Sequence, residues 1–112
     1  MDLKTITFDA ADPPGLATFW SQATGRAVKD ANPNFALLAP DEHGIQMLFL
    51  KVPEGKAAKN RMHLDFGVPD REAEIARLVG LGATRHDTRH EYGTEWTVMT
   101  DPEGNEFCVA QH

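Results

Sequence analysis

The stretch Lys59-Asn60-Arg61-Met62-His63-Leu64-Asp65-Phe66 sets an imidazole and a carboxylate two residues apart. From Arg61 it alternates, with Arg61, His63 and Asp65 on one side and Met62, Leu64 and Phe66 on the other. That is the two-residue period of a half-buried strand, so His63 and Asp65 share a sheet face. Asp65 is then a candidate general base, or a charge that selects a cationic ligand. The competing reading pairs Asp65 with Arg61 on the same face, as structural ion pairs do. His86 and His90 form a second candidate pair, but the run Thr-Arg-His-Asp-Thr-Arg-His around them reads as a strand entering a turn. Two rings four apart on a strand share a face at some distance, so a solvated polar edge is the expected role. His43 falls in a turn and His112 is the last residue; both are expected at the surface. No Gly-rich phosphate loop, Gly-x-Ser-x-Gly elbow or Cys-x-x-Cys pair is present.

These side chains need elements to hold them. Leu3 to Asp9 alternates and predicts a strand. Asp12-Pro13 then opens a helix, because an aspartate caps free backbone N–H groups and proline fits the first turn. Leu16, Phe19, Trp20 and Ala23 make one apolar stripe, and Gly25 ends the helix. Residues 26–34 carry the turn signal Asn32-Pro33-Asn34. Strands follow at Phe35 to Ala39 and Ile45 to Val52, joined by Pro40-Asp41-Glu42-His43-Gly44. Residues 53–60 read as a linker.

The second half repeats this order. Met62 to Val68 is a strand, and Asp70 caps a helix whose face carries Ile75, Leu78, Val79 and Gly82. Strands are expected at Ala83 to Arg89, Glu95 to Thr100 and Asn105 to Ala110, with Asp101-Pro102-Glu103-Gly104 turning between the last two. Ile6-Thr7-Phe8 falls on Leu64-Asp65-Phe66 and Asp12 on Asp70, each 58 residues on. Gly44 falls on Gly104, 60 residues on, which carries Leu48 onto Cys108. Each half therefore reads strand, helix, strand, strand, strand: an internal repeat within one α+β domain of two βαβββ modules, about 1–52 and 61–112.

Composition narrows the function classes. A net charge of −6 argues against nucleic acid and anionic membranes, which call for clustered Lys and Arg. No apolar run reaches membrane-spanning length. The start, Met1-Asp2-Leu3-Lys4, reads without a signal peptide, and the single cysteine, Cys108, suits a reducing compartment, so a cytoplasmic location is expected.

Taken together, strand–Asp-Pro–helix with Phe19-Trp20, Gly25, Lys59-Asn60-Arg61-x-His63-Leu64-Asp65 and Asp101-Pro102-Glu103-Gly104-Asn105-Glu106-Phe107 resembles the vicinal oxygen chelate superfamily. That group includes glyoxalase I, bleomycin- and fosfomycin-resistance proteins and extradiol dioxygenases; the chain is most similar to short glyoxalase-like domains common in actinobacteria. The resemblance covers nearly the whole chain. It implies paired βαβββ modules whose eight strands form a curled mixed sheet around a cup with two helices outside, and a homodimer.

In metal-dependent members a divalent ion sits in the cup on ligands from four strands. Mapped onto this chain, the positions are Thr5, His63, Cys108 and Leu48, or Leu50 if the register slips by two. His63 is a good ligand and Cys108 a zinc ligand as a thiolate, but threonine is a poor donor and leucine none. Catalytic zinc takes about three protein ligands, so the reading is that the protein works without an ion; a divalent Zn, Ni, Mn or Fe, if present, would sit on His63 and Cys108. Cys108 as a nucleophile would need an activating neighbour such as His63; otherwise it is a small buried thiol. With Thr5 and His63 facing inward, Thr7, Asp9, Leu48, Leu50, Asp65 and Cys108 also face the cup, whereas Ile6, Phe8, Phe49, Leu64, Phe66, Phe107 and Val109 pack under the helices. Trp96 lines the cup or packs under the second helix. The first functional expectation is a bleomycin-resistance-like protein that binds a small organic molecule, with His63 and Asp65 at its centre. The alternatives are a lyase or isomerase with a divergent metal site around His63, and a non-catalytic structural or regulatory dimer.

Overall fold

A computed structural model describes residues 3–60, 62–91 and 93–111 of the chain. Readings that fell on Met1, Asp2, Arg61 or His112, the Arg61–Asp65 pair among them, lie outside the described residues. The chain forms two compact units, Met1–Gly55 and Lys56–His112. The first holds β1 (Thr5–Ala10), α1 (Pro13–Thr24), β2 (Val28–Asn32), β3 (Phe35–Leu38) and β4 (Gln46–Lys51). The second holds β5 (Leu64–Val68), α2 (Arg71–Leu81), β6 (Thr84–Glu91), β7 (Thr94–Thr100) and β8 (Glu106–Gln111). Each is one βαβββ module with its own four-stranded sheet, ordered β1-β4-β3-β2 and β5-β8-β7-β6. In both, the first strand pairs in parallel with the last while the other pairings are antiparallel. The eight strands and two helices of the α+β reading are all present, four strands to a sheet. Among the described residues, no helix is long and apolar enough to cross a membrane.

The helices begin and end as their capping residues dictate. Asp12 accepts the Gly15 N–H at 3.3 Å and Asp70 accepts the Ala73 N–H at 3.1 Å, each relieving a donor with no partner inside its helix. Leu16, Phe19 and Trp20 of α1 are buried, and Phe8 lies 6.0 Å from Trp20 and 5.5 Å from Phe49, ring centre to ring centre. Met47, Phe49, Ala36 and Leu38 complete this side of the first sheet. Large side chains buried this fully contribute roughly 2–3 kcal/mol each. In the second module α2 lies against β8 and β6. Ile75 and Leu78 are buried, but Val79, expected on the same stripe, is 46% exposed. The contact is one residue narrower than the spacing suggested, and Val79 turns to the flank. Phe66 meets Phe107 edge-on at 6.1 Å, and Thr97, Met99 and Val109 are buried with them.

The repeat extends to the turns before β4 and β8. Asp41 accepts the N–H groups of His43 and Ile45 at 2.9 and 2.8 Å. Asp101, sixty residues on, accepts those of Glu103 and Asn105, both at 2.9 Å. Gly44 and Gly104 close the turns at φ of 82° and 86°, where a side chain would be strained. One strand, β2, falls in 26–34, where the sequence showed only a turn signal. Its residues are almost wholly exposed, so it lacks the apolar alternation that marks a strand.

Candidate functional site

In the second module α2 lies against β8 and β6 on one face of the sheet, which leaves the other face free of α2. Leu64 and Phe66 are half-buried, while Asp65 and Gly67, which alternate with them, are exposed. Residue His63 directly precedes β5 and is exposed. The parallel register sets Asp65 opposite Cys108, and the antiparallel register sets Cys108 opposite Val98. Cys108 thus stands on the central strand of its neighbourhood, held by ladders on both sides, with only 7% of its surface exposed.

Three side chains converge there. His63 Nε2 lies 3.4 Å from Asp65 Oδ1, with the two side chains 53% and 72% exposed. The donor atoms of His63, Asp65 and Cys108 all lie within 4.8 Å of one another. Burial pushes the Cys108 thiol up, and the neighbouring Asp65 carboxylate pushes it further; Arg89 opposes them. A thiol held protonated is a weak nucleophile, so the geometry favours the buried-thiol reading of Cys108. Asp65 lies 3.4 Å from His63 and stands opposite Cys108 in the β5–β8 ladder.

Glu106, at the head of β8, was not singled out in the sequence. It accepts from Lys56 Nζ and from the Asn60 backbone N–H, both at 3.0 Å. Burial raises its carboxyl, but the hydrogen bonds of Lys56 and Asn60 outweigh this and leave it below the ordinary range. The segment that leads to His63 is thereby tied to the strand that carries Cys108. The available signal was that Glu106 is the one charged residue between Asn105 and His112.

Trp96 is half-buried on β7, opposite Ala110 and Arg89. Its buried neighbours Thr97 and, two further on, Met99 stand opposite buried Val109 and Phe107, so Trp96 and Val98 share the other face with Cys108. His86 and His90 lie on the exposed edge strand β6, where His86 Nε2 is 2.9 Å from Thr100 Oγ1. This is the solvated edge expected of them.

On the helix-free face of the first sheet, Thr5 stands opposite Gln46, Thr7 opposite Leu48 and Asp9 opposite Leu50. Thr5 and Leu48 are half-buried; Thr7, Asp9 and Leu50 are exposed. This face offers hydroxyls, aliphatic surface and a carboxylate, with no histidine or cysteine among its described residues.

The model of a family described as a glyoxalase-like domain matches residues 5–110. No curated protein matches the chain. A glyoxalase/bleomycin resistance protein/dioxygenase family enzyme from Burkholderia phytofirmans superposes with a TM-score of 0.79 at 22% identity, over 99% of this chain and 98% of that one. A glyoxalase-related enzyme from Fulvimarina pelagi gives 0.77 at 18% identity, over 100% of this chain and 88% of that one. A lactoylglutathione lyase from Agrobacterium tumefaciens gives 0.71 at 14% identity, over 98% and 92%. At these identities the likeness is one of fold.

Proposed function

The chain belongs to the glyoxalase-like domain family, and we propose that it binds a small organic molecule against the helix-free face of its second sheet. The observation that carries this is the meeting of His63, Asp65 and Cys108 beside an apolar strip of Val98, Ala110 and half-buried Trp96. A few polar groups converging on apolar surface are the usual form of a small-molecule site. His63 and Asp65 are the polar anchor; Asp65 takes a hydrogen-bond donor or a cationic group. Thr5, Thr7, Asp9, Leu48 and Leu50 form a second ligand-contacting surface in its own right. The protein is proposed to act as a cytoplasmic homodimer, which sedimentation velocity checks.

A second reading is favoured by the same clustering of donors. In it the protein is a lyase or isomerase with a divalent ion held by His63, Asp65 and Cys108. Their N, O and S donors fit such an ion, whereas the threonine and leucine at Thr5 and Leu48 do not. When bound, the ion would polarise a substrate oxygen. The test of the first reading is a melting-temperature screen of small organic compounds in excess chelator. A ligand present at 100 times its Kd adds about 2.7 kcal/mol to stability. Shifts that vanish in His63→Ala and Asp65→Ala support the reading; shifts that persist in both variants sink it. Turnover that appears only with added Zn²⁺, Ni²⁺, Mn²⁺ or Fe²⁺ would move the assignment to the second reading.

A further inference from the structure

We propose that Arg89 is the second anchor of the binding face, and that the ligand is a flat carboxylic acid: carboxylate on Arg89, ring on Trp96, and a hydrogen-bond donor at its far end on Asp65. This rests on the reading that this face of the second sheet binds a small organic molecule, and it names the chemical class of that molecule. Register brings the parts together. Arg89 on β6 stands opposite Trp96 on β7, and Trp96 stands opposite Ala110 on β8. Directly opposed residues share a face, with Cβ atoms about 5 Å apart. Arg89 therefore stands beside the indole, on the face that also carries Val98 and Cys108. Its charge is felt there, since Arg89 pulls the Cys108 thiol down against burial and Asp65. Half-buried Trp96 offers a flat surface on which an aromatic ring stacks.

Arg89 is also the arginine that the protein's own carboxylates leave available. Among the described residues, Arg26, Arg71 and Arg85 hold Asp41, Glu95 and Glu72 at 3.2, 2.6 and 2.7 Å, and Arg77 Nε lies 2.9 Å from Glu74. Arg89 has only Asp87 at 3.9 Å, beyond hydrogen-bond length, with the two side chains 57% and 79% exposed. Such a pair contributes little and does not hold the guanidinium against a better acceptor. A guanidinium matches a carboxylate in a fork of two parallel hydrogen bonds. A monoanion suits it better than a phosphate dianion, because one arginine supplies one fork and the net charge of −6 repels a second negative charge. The two anchors sit at opposite sides of the sheet. Its outer strands, β5 and β6, are three strand spacings apart, about 14 Å. Asp65 and Arg89 both act on Cys108 between them, so the gap between their charged groups is shorter, the span of a fused pair of rings. Val98 and Ala110 floor that gap beside Trp96.

The probes are an aminonaphthoate with its two groups at opposite ends of the ring pair, its neutral carboxamide, and naphthyl phosphate. Each is titrated by calorimetry into the full chain in chelator. The parent should bind the acid at least about fivefold tighter than the amide, as one charge-assisted fork at an exposed site allows. In Arg89→Gln, a surface change, the two should come within about twofold; Arg89→Lys should restore part of the preference, since an ammonium keeps the charge without the fork. The preference should shrink as salt is raised. Acid and amide bound alike by the parent, or a preference that survives in Arg89→Gln, would overturn the proposal; if that binding is lost in His63→Ala, the reading of the face still stands. Tighter binding of the phosphate than of the acid would overturn the assignment to a carboxylate. No binding of the acid by the parent would overturn it as well. Hits of other chemistry that vanish in His63→Ala would then leave the binding face standing, and an absence of such hits would count against both.

Discussion

Asp65 carries most of the chemistry at the scale of single residues. It lies 3.4 Å from His63, and after burial it is the main influence that pushes the Cys108 thiol up. In Asp65→Asn the negative charge is gone while the burial remains, so the thiol should titrate at lower pH than in the parent, though still above an exposed cysteine. Thiolate absorbance against pH reads this directly; an unchanged or raised midpoint would show that Asp65 does not act on the sulfur. That His63 and Asp65 share a face was legible from alternation alone, since a strand's period is fixed. Their nearness to Cys108 was not. It depends on the β5–β8 register, a long-range pairing that no local pattern encodes, and the repeat aligned Cys108 with Leu48 without saying what lies across from it. Trp96 was undecided for the same reason, and the register with Ala110 settles its face.

At the scale of elements, the caps and turns were the readable part. Asp12, Gly25, Asp70 and Gly82 bound the helices because each answers a local backbone need. The repeat called for the strand β2 but could not place it, because an exposed strand has no apolar face to show, and Val79 was misplaced because a spacing rule cannot say how wide a contact is. Two elements invite tests. Asp101 is 3% exposed and is the shared acceptor of the turn before β8. Asp101→Ala should cost about 2–3 kcal/mol, the penalty for orphaned buried donors, and denaturant unfolding measures it. The Glu106 clamp is more exposed, so Glu106→Ala should cost only about 1 kcal/mol. Its specific signature is faster hydrogen exchange at the Asn60 amide; exchange no faster than in the parent would remove Glu106 from any role in placing His63.

For the whole molecule, the acidic balance turns into a pH dependence. Asp41 is held below the ordinary carboxylate range chiefly by the Ile45 N–H, and Glu72 by its hydrogen bond with Arg85. A carboxylate whose folded value is depressed contributes its full stability above the unfolded value, about 4. That contribution is lost as pH falls through the folded value. Stability should therefore be level from neutral pH to about 5 and decline below it, and Asp41→Asn should flatten the decline. A melting temperature that rises on acidification would contradict the assignment. The two-module plan was legible at this scale because one βαβββ unit is written twice with nearly constant offset. The ligand is not legible, since a fold hosts many activities and only the site discriminates among them.

A small molecule bound on the face bearing His63, Asp65 and Cys108 must feel the loss of the imidazole. The most direct test is titration calorimetry of the best ligand from the melting screen, in chelator, against the parent and His63→Ala. Binding in the variant should be at least about tenfold weaker, a loss of roughly 1.4 kcal/mol. An unchanged Kd would place the ligand elsewhere and remove His63 from the binding face.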